Sequence, residues 1–144
     1  MNIYFYNVVD EYGCFSNFSR HGFECDGKYW PTSEHYFQAQ KFIDEELKEM
    51  VRQAATPMIA ANLGRNRSYP LRDDWEHIKD SVMREAVLSK FSSNSDIQKV
   101  LLGTGDSSII EKTTEDYYWG CGRDGTGLNR LGSILMEVRS MLNE

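Results

Sequence analysis

A chain of 144 residues with 40% hydrophobic and 12% aromatic side chains is long enough to bury a sizeable core, and no shift of composition marks a linker, so one domain over residues 1–144 is expected. Its formal charge of −6 argues against broad attraction to nucleic acid while leaving room for a local basic site. The first ten residues lack a basic region and no apolar run reaches membrane-spanning length, so a soluble cytoplasmic protein with no membrane partner is expected.

Along the chain, short strand signals lie in residues 3–9, 15–18 and 23–30, with turns at Tyr12-Gly13 and Asp26-Gly27. The remainder reads mostly as helix. Pro31 fixes φ ahead of Thr32 and Ser33, either of which can cap a helix that carries Glu34 in its first turn. Leu47, Met50, Val51 and Ala54 give residues 44–55 helical spacing, and Thr56-Pro57 is a cap followed by proline at the first helical position, in a helix ending near Gly64. A longer amphipathic helix runs from Asp73 or Asp74 to Phe91, another from Ser95 or Asp96 to Leu102, and Leu131, Ile134, Leu135, Val138 and Leu142 mark the closing helix. Cys14, Cys25 and Cys121 are odd in number, widely spaced and without a histidine at ligand spacing; they read as reduced thiols, with no zinc site.

Three segments carry candidate chemistry. With about 100° of rotation per helical residue, Glu34, Gln38 and Lys41 fall on one face. That face is either an ordinary polar surface favoured by the helix dipole or the floor of a pocket walled by Trp30, Tyr36, Phe37 and Phe42. Arg65, Arg67 and Arg72 concentrate guanidinium groups in an acidic chain and suit phosphate oxygens; the alternative is a solvated loop paired with Asp73, Asp74 or Glu76. The five glycines from Gly120 to Gly132 permit close backbone approach and offer N–H groups to anions, or simply form a tight turn; no Walker loop is present. His35 adjoins Glu34 but points to another side of the helix, so packing or a local hydrogen bond is its expected role.

Gly13-Cys14-Phe15-Ser16-Asn17-Phe18, the segment from Trp30 to Phe42, Pro70-Leu71-Arg72-Asp73-Asp74-Trp75, and Asp116-Tyr117-Tyr118-Trp119-Gly120 followed by Gly127-Leu128-Asn129-Arg130-Leu131-Gly132 stand in order along the chain. In these blocks it resembles the YbiA-like N-glycosidases of the NADAR family over nearly its whole length. The resemblance implies a compact, mainly α-helical α+β domain with a few short N-terminal strands. It also implies cleavage of the N-glycosidic bond in phosphorylated ribosylamino-pyrimidine or ribosylamino-uracil intermediates of riboflavin synthesis. For other branches it implies action on ADP-ribose attached to guanine in nucleic acid. Glu34, Trp75 and Asp116 are the residues the pattern makes essential. Asn17, Trp119, Gly120 and Asn129, within the matching blocks, join Arg65, Arg67 and Arg72 as expected substrate contacts.

Breaking a ribosyl C–N bond develops positive charge at the anomeric carbon and negative charge on the leaving nitrogen, so a site needs an anionic stabiliser, a proton donor and a positioned water or nucleophile. Glu34 is assigned the acid/base role and Asp116 an orienting or water-activating one, with exchange of the two left open. Trp75 either stacks on the base, walls off water or anchors the long helix. A neutral lysine, Lys41 first and Lys28 second, offers a covalent alternative through a Schiff base. This chemistry requires neither metal nor cofactor, and no obligate protein partner is implied. A noncatalytic ADP-ribose or phosphoribosyl binding module is the competing reading, with Trp75 or Trp119 stacked on the base.

Overall fold

The computed structural model describes residues 1–144 in four strands, β1 (Asn2–Phe5), β2 (Phe23–Cys25), β3 (Lys28–Trp30) and β4 (Ser108–Glu111), and six α-helices. The helices are α1 (Ser33–Ala39), α2 (Glu45–Arg52), α3 (Pro57–Arg65), α4 (Trp75–Ser93), α5 (Ser95–Gly103) and α6 (Arg130–Leu142), so the fold is α+β and mainly helical. No helix is long and apolar enough to cross a membrane. The residues group into two units, Arg20–Ser93 and Met1–Ser19 with Asn94–Glu144.

In the unit Arg20–Ser93, β2 and β3 form an antiparallel hairpin pairing Phe23 with Trp30 and Cys25 with Lys28. Asp26 and Gly27 close it with φ of 55° and 79°, the left-handed pair that matches the strands' twist and that Asp-Gly adopts readily. The next three helices, α1 to α3, each start on a side-chain cap: Thr32 Oγ1 accepts from the His35 N–H, Asp44 from Glu46 and Leu47, and Thr56 from Ile59. The apolar faces of α1 to α4 and the hairpin close over Phe23, Trp30, Tyr36, Phe42, Val51 and Ala60. Tyr36 is held edge-on by Trp30 at a centroid distance of 5.2 Å.

In the other unit, β1 and β4 pair in parallel, Ile3 with Ile109, and α6 packs on β4. Phe15 sits in a single 3-10 turn, Gly13–Phe15, with its ring edge-on to Phe5 at 5.8 Å. The strand expected over residues 15–18 is therefore this turn and the bend after it, and the first strand stops at Phe5 rather than Val9. β4 lies beyond the N-terminal segments where strands are expected, after the turn at residues 104–106. It becomes a strand by pairing with β1, a contact remote in sequence that local patterning does not register.

Candidate active site

Helix α1 presents its acid from inside the protein. Glu34 is 6% exposed, and its Oε2 accepts a 2.7 Å hydrogen bond from Gln38 Nε2 one turn on. On another side of the helix, His35 Nε2 lies 3.0 Å from the Ala54 carbonyl and Nδ1 2.7 Å from Thr32 Oγ1. A carbonyl only accepts, so Nε2 carries the proton, Nδ1 takes the hydroxyl hydrogen, and the ring is neutral. Burial lowers the His35 pKa in keeping with this. His35 is thus a packing residue that ties α1 to the turn after α2.

Helix α1 ends at Ala39, and two short turns continue it, with Lys41 N–H donating to the Gln38 carbonyl and Phe42 N–H to that of Ala39. These keep Lys41 near the Glu34 face. The Lys41 ammonium lies 5.8 Å from the Phe37 ring centroid and 6.0 Å from that of Trp75. The two rings meet edge-to-face at 5.1 Å. Desolvation is the largest influence on Lys41; with repulsion from Arg67 and Arg65 it outweighs the attraction of Glu34 and lowers the pKa to about 8. Trp75, at the first turn of α4, is 5% exposed: it anchors the helix and forms a wall beside Lys41.

The three arginines divide. Arg72 holds Asp74 through two nitrogens, at 2.6 and 3.2 Å, and depresses the Asp74 pKa, while its own N–H donates to the Lys41 carbonyl. It splints the segment after α1 to the start of α4. Arg67 donates to the Gly64 and Arg65 carbonyls at the end of α3; it and Arg65 are exposed and act on Lys41 by charge. An open depression of about 590 Å³ between residues 43–44 and 70–74 takes in Arg72 but not Glu34, Lys41 or Trp75. Lys28 lies outside this cluster, exposed on β3 and paired with Glu49 at 3.3 Å. Gln38, set on the Glu34 face by its spacing of one turn, and Phe37, expected as a wall of that face, both join the cluster.

In the other unit, the glycine-rich loop is organised by Asp116. Its Oδ1 accepts from the Tyr118 and Trp119 N–H groups at 3.0 and 2.8 Å, and its carbonyl accepts from Thr113 Oγ1 at 2.6 Å. Gly120 and Gly127 serve close packing: a Cβ on Gly120 would lie 2.3 Å from Thr113 Oγ1, and one on Gly127 2.5 Å from the Gly120 carbonyl oxygen. The N–H groups of residues 127–131 donate in turn to the carbonyls of Cys121, Tyr117, Gly120, Tyr118 and Trp119. These donors are engaged within the loop rather than held out to an anion. Asn129, at φ 52° ahead of α6, uses both ends of its amide on β4, accepting from Glu111 N–H at 3.0 Å and donating to the Ile109 carbonyl at 2.9 Å. Trp119 stands edge-on to Tyr118 at 4.8 Å, and Asn17 is half-buried after the 3-10 turn.

The NADAR domain family profile matches residues 4–143, through both units. N-glycosidase YbiA of Escherichia coli (strain K12) is 51% identical over 140 residues, covering 97% of this chain and 88% of that protein. A riboflavin biosynthesis protein of Vibrio vulnificus (strain YJ016) is 43% identical over 142 residues, covering 99% of this chain and 39% of its own. The NMR structure of E. coli YbiA superposes with a TM-score of 0.91 at 49% identity, over 99% of this chain and 87% of that one. By these matches the chain belongs to the NADAR family, as an N-glycosidase, a hydrolase of N-glycosyl bonds.

Proposed function

We propose that the enzyme hydrolyses the bond between ribose 5-phosphate and the amine nitrogen of a pyrimidine or uracil intermediate of riboflavin synthesis. The observation that carries this reading is the buried Glu34 carboxylate, coupled by charge to a lysine whose burial lowers its pKa to about 8, beside Phe37 and Trp75. Glu34 takes a proton from the attacking water and returns it to the departing nitrogen while its charge stabilises the cationic sugar. Arg65 and Arg67 supply cations to the sugar phosphate, and Trp75 excludes water as a wall. In the other unit, Asp116 orients the Tyr118-Trp119 turn. The name of the Vibrio relative and the acidic charge of the chain favour a small phosphorylated substrate over a nucleic acid.

The lowered pKa of Lys41 favours a second route through the same residues. The neutral amine attacks C1′ of the ring-opened sugar, the C1′–N bond breaks with a proton passing to the leaving amine, and water hydrolyses the resulting imine to the aldehyde and free lysine. This route needs the unprotonated amine, so its rate rises with pH through about 8 to a plateau above that value, and borohydride traps the adduct. An unlabelled lysine with no rise through that range leaves direct hydrolysis.

Mass spectrometry of the enzyme with ribosylaminopyrimidine 5′-phosphate and, separately, guanine-ADP-ribosylated DNA tests the substrate. Release of ribose 5-phosphate from the first is expected. Release of ADP-ribose from the second alone overturns the riboflavin assignment, and binding without cleavage of either favours a ligand-binding module.

A further inference from the structure

Gln38 lies on α1 between the acid and helix α3. It is 2% exposed, its Nε2 donates to Glu34 Oε2 at 2.7 Å, and its Oε1 is buried without a hydrogen-bond partner. A buried acceptor without a donor opposes folding. Methionine or leucine would fill the space without that penalty, so packing does not account for an amide here. What the amide adds is one N–H aimed at Glu34. The facing residue on α3 is fitted to it, since a Cβ on Gly64 would lie 2.1 Å from Gln38 Oε1 and 2.8 Å from its Cβ and Cδ. With any side chain at position 64 the amide has to leave.

We propose that Gln38 is a positioning residue for the N-glycosidase reaction, its amide holding Glu34 as an oriented, ionised carboxylate, and that Gly64 is the space which lets it do so. The inference rests on the role given to Glu34 in the proposed function. Donation of an N–H to a carboxylate stabilises the charged form, so losing it raises the Glu34 pKa. Lys41 acts on Glu34 by charge, and Arg65 and Arg67 face Lys41. On α1 and the elements packed against it, His35 is bonded to Thr32 and Ala54, Tyr36 to Asp26 in the β2–β3 turn, Glu49 of α2 to Arg52 and Lys28, Glu76 of α4 to Lys79, and Glu85 of α4 to Cys25.

The test compares wild type with Gln38→Met and Gln38→Glu. It reads kcat and KM on ribosylaminopyrimidine 5′-phosphate and, without substrate, the Glu34 titration by carboxyl 13C NMR, assigned from the resonance missing in Glu34→Gln. In Gln38→Met, kcat falls about 10- to 100-fold with KM within about twofold, and the Glu34 midpoint rises by about 1 to 2 in pH. A merely structural residue would not move that midpoint. In Gln38→Glu, activity returns where the two carboxyls share one proton, because the second then donates to Glu34, and disappears as pH rises and both ionise. Should methionine disrupt packing, this pH-dependent return decides. Wild-type kcat and an unmoved midpoint in Gln38→Met overturn the proposal, as does a Gln38→Glu enzyme indifferent to pH. A wild type that leaves the substrate uncut while the Gln38→Met midpoint still rises removes the substrate reading and keeps the positioning role.

Discussion

Lys41 shows how burial overrides charge pairing at a single residue. Sequence spacing sets it beside Glu34, where attraction would hold it protonated; the structure adds the desolvation that lowers its pKa to about 8. Below that pH the folded state carries a poorly solvated ammonium. Between about 8 and the ordinary lysine value near 10.4 the unfolded chain binds more protons, so stability rises with pH across that window. Lys41→Met is therefore expected to raise stability at pH 7 by about 1–2 kcal/mol, a figure reduced for the solvent that still reaches the group, and on the covalent route activity falls more than about 100-fold; urea denaturation and kcat/KM check the two effects. Asp116 gives a second test at this scale. An asparagine retains the Oδ1 acceptor for the Tyr118 and Trp119 N–H groups, so Asp116→Asn is expected to keep kcat/KM within about tenfold and Asp116→Ala to lose about 100-fold or more. Equal loss in both would assign Asp116 a charge-dependent role. The sequence names both residues, but which of their possible roles applies depends on burial and bond partners that spacing does not carry.

At the scale of elements, caps and turns are legible because their causes are local. Thr32, Asp44 and Thr56 cap the helices they precede, and Asp26-Gly27 closes the hairpin. The misread residues 15–18 and the parallel β1–β4 pair depend on contacts remote in sequence. The crossing of α1 and α3 is likewise hidden: a glycine inside a helix reads as a weak stop signal, whereas Gly64 is where Gln38 packs. Gly64→Ala is expected to destabilise by about 1–3 kcal/mol, because the gain in helix propensity is smaller than the strain of displacing a buried side chain; denaturant midpoints at constant slope would show it. His35 links α1 to Ala54 as a neutral ring with a pKa below 6.5. The unfolded chain protonates this histidine first, so stability falls as pH drops below about 6.5. Thermal midpoints at pH 7 and pH 5 should differ less in His35→Gln than in wild type.

Over the whole molecule, motif order reads further than periodicity does. The blocks at residues 13–18 and 116–132 belong to one unit and those at 30–42 and 70–75 to the other, so the family pattern spans the chain while helical spacing describes one element at a time. The glycine loop marks the limit of that reading. Its composition suggests an anion cradle, but its N–H groups from residue 127 to 131 are engaged by carbonyls of the same loop, a fact of tertiary hydrogen bonding that glycine content cannot express. Substrate identity is hidden for a related reason, since the proposed phosphate contacts, Arg65 and Arg67, are exposed side chains at and beyond a helix end rather than a motif with fixed geometry. Release of ribose 5-phosphate from ribosylaminopyrimidine 5′-phosphate by wild type and by Glu34→Gln, with binding of the intact substrate measured in parallel, tests the central claim most directly. Loss of release with affinity retained is the predicted result, and undiminished release by Glu34→Gln would contradict the role given to this carboxylate.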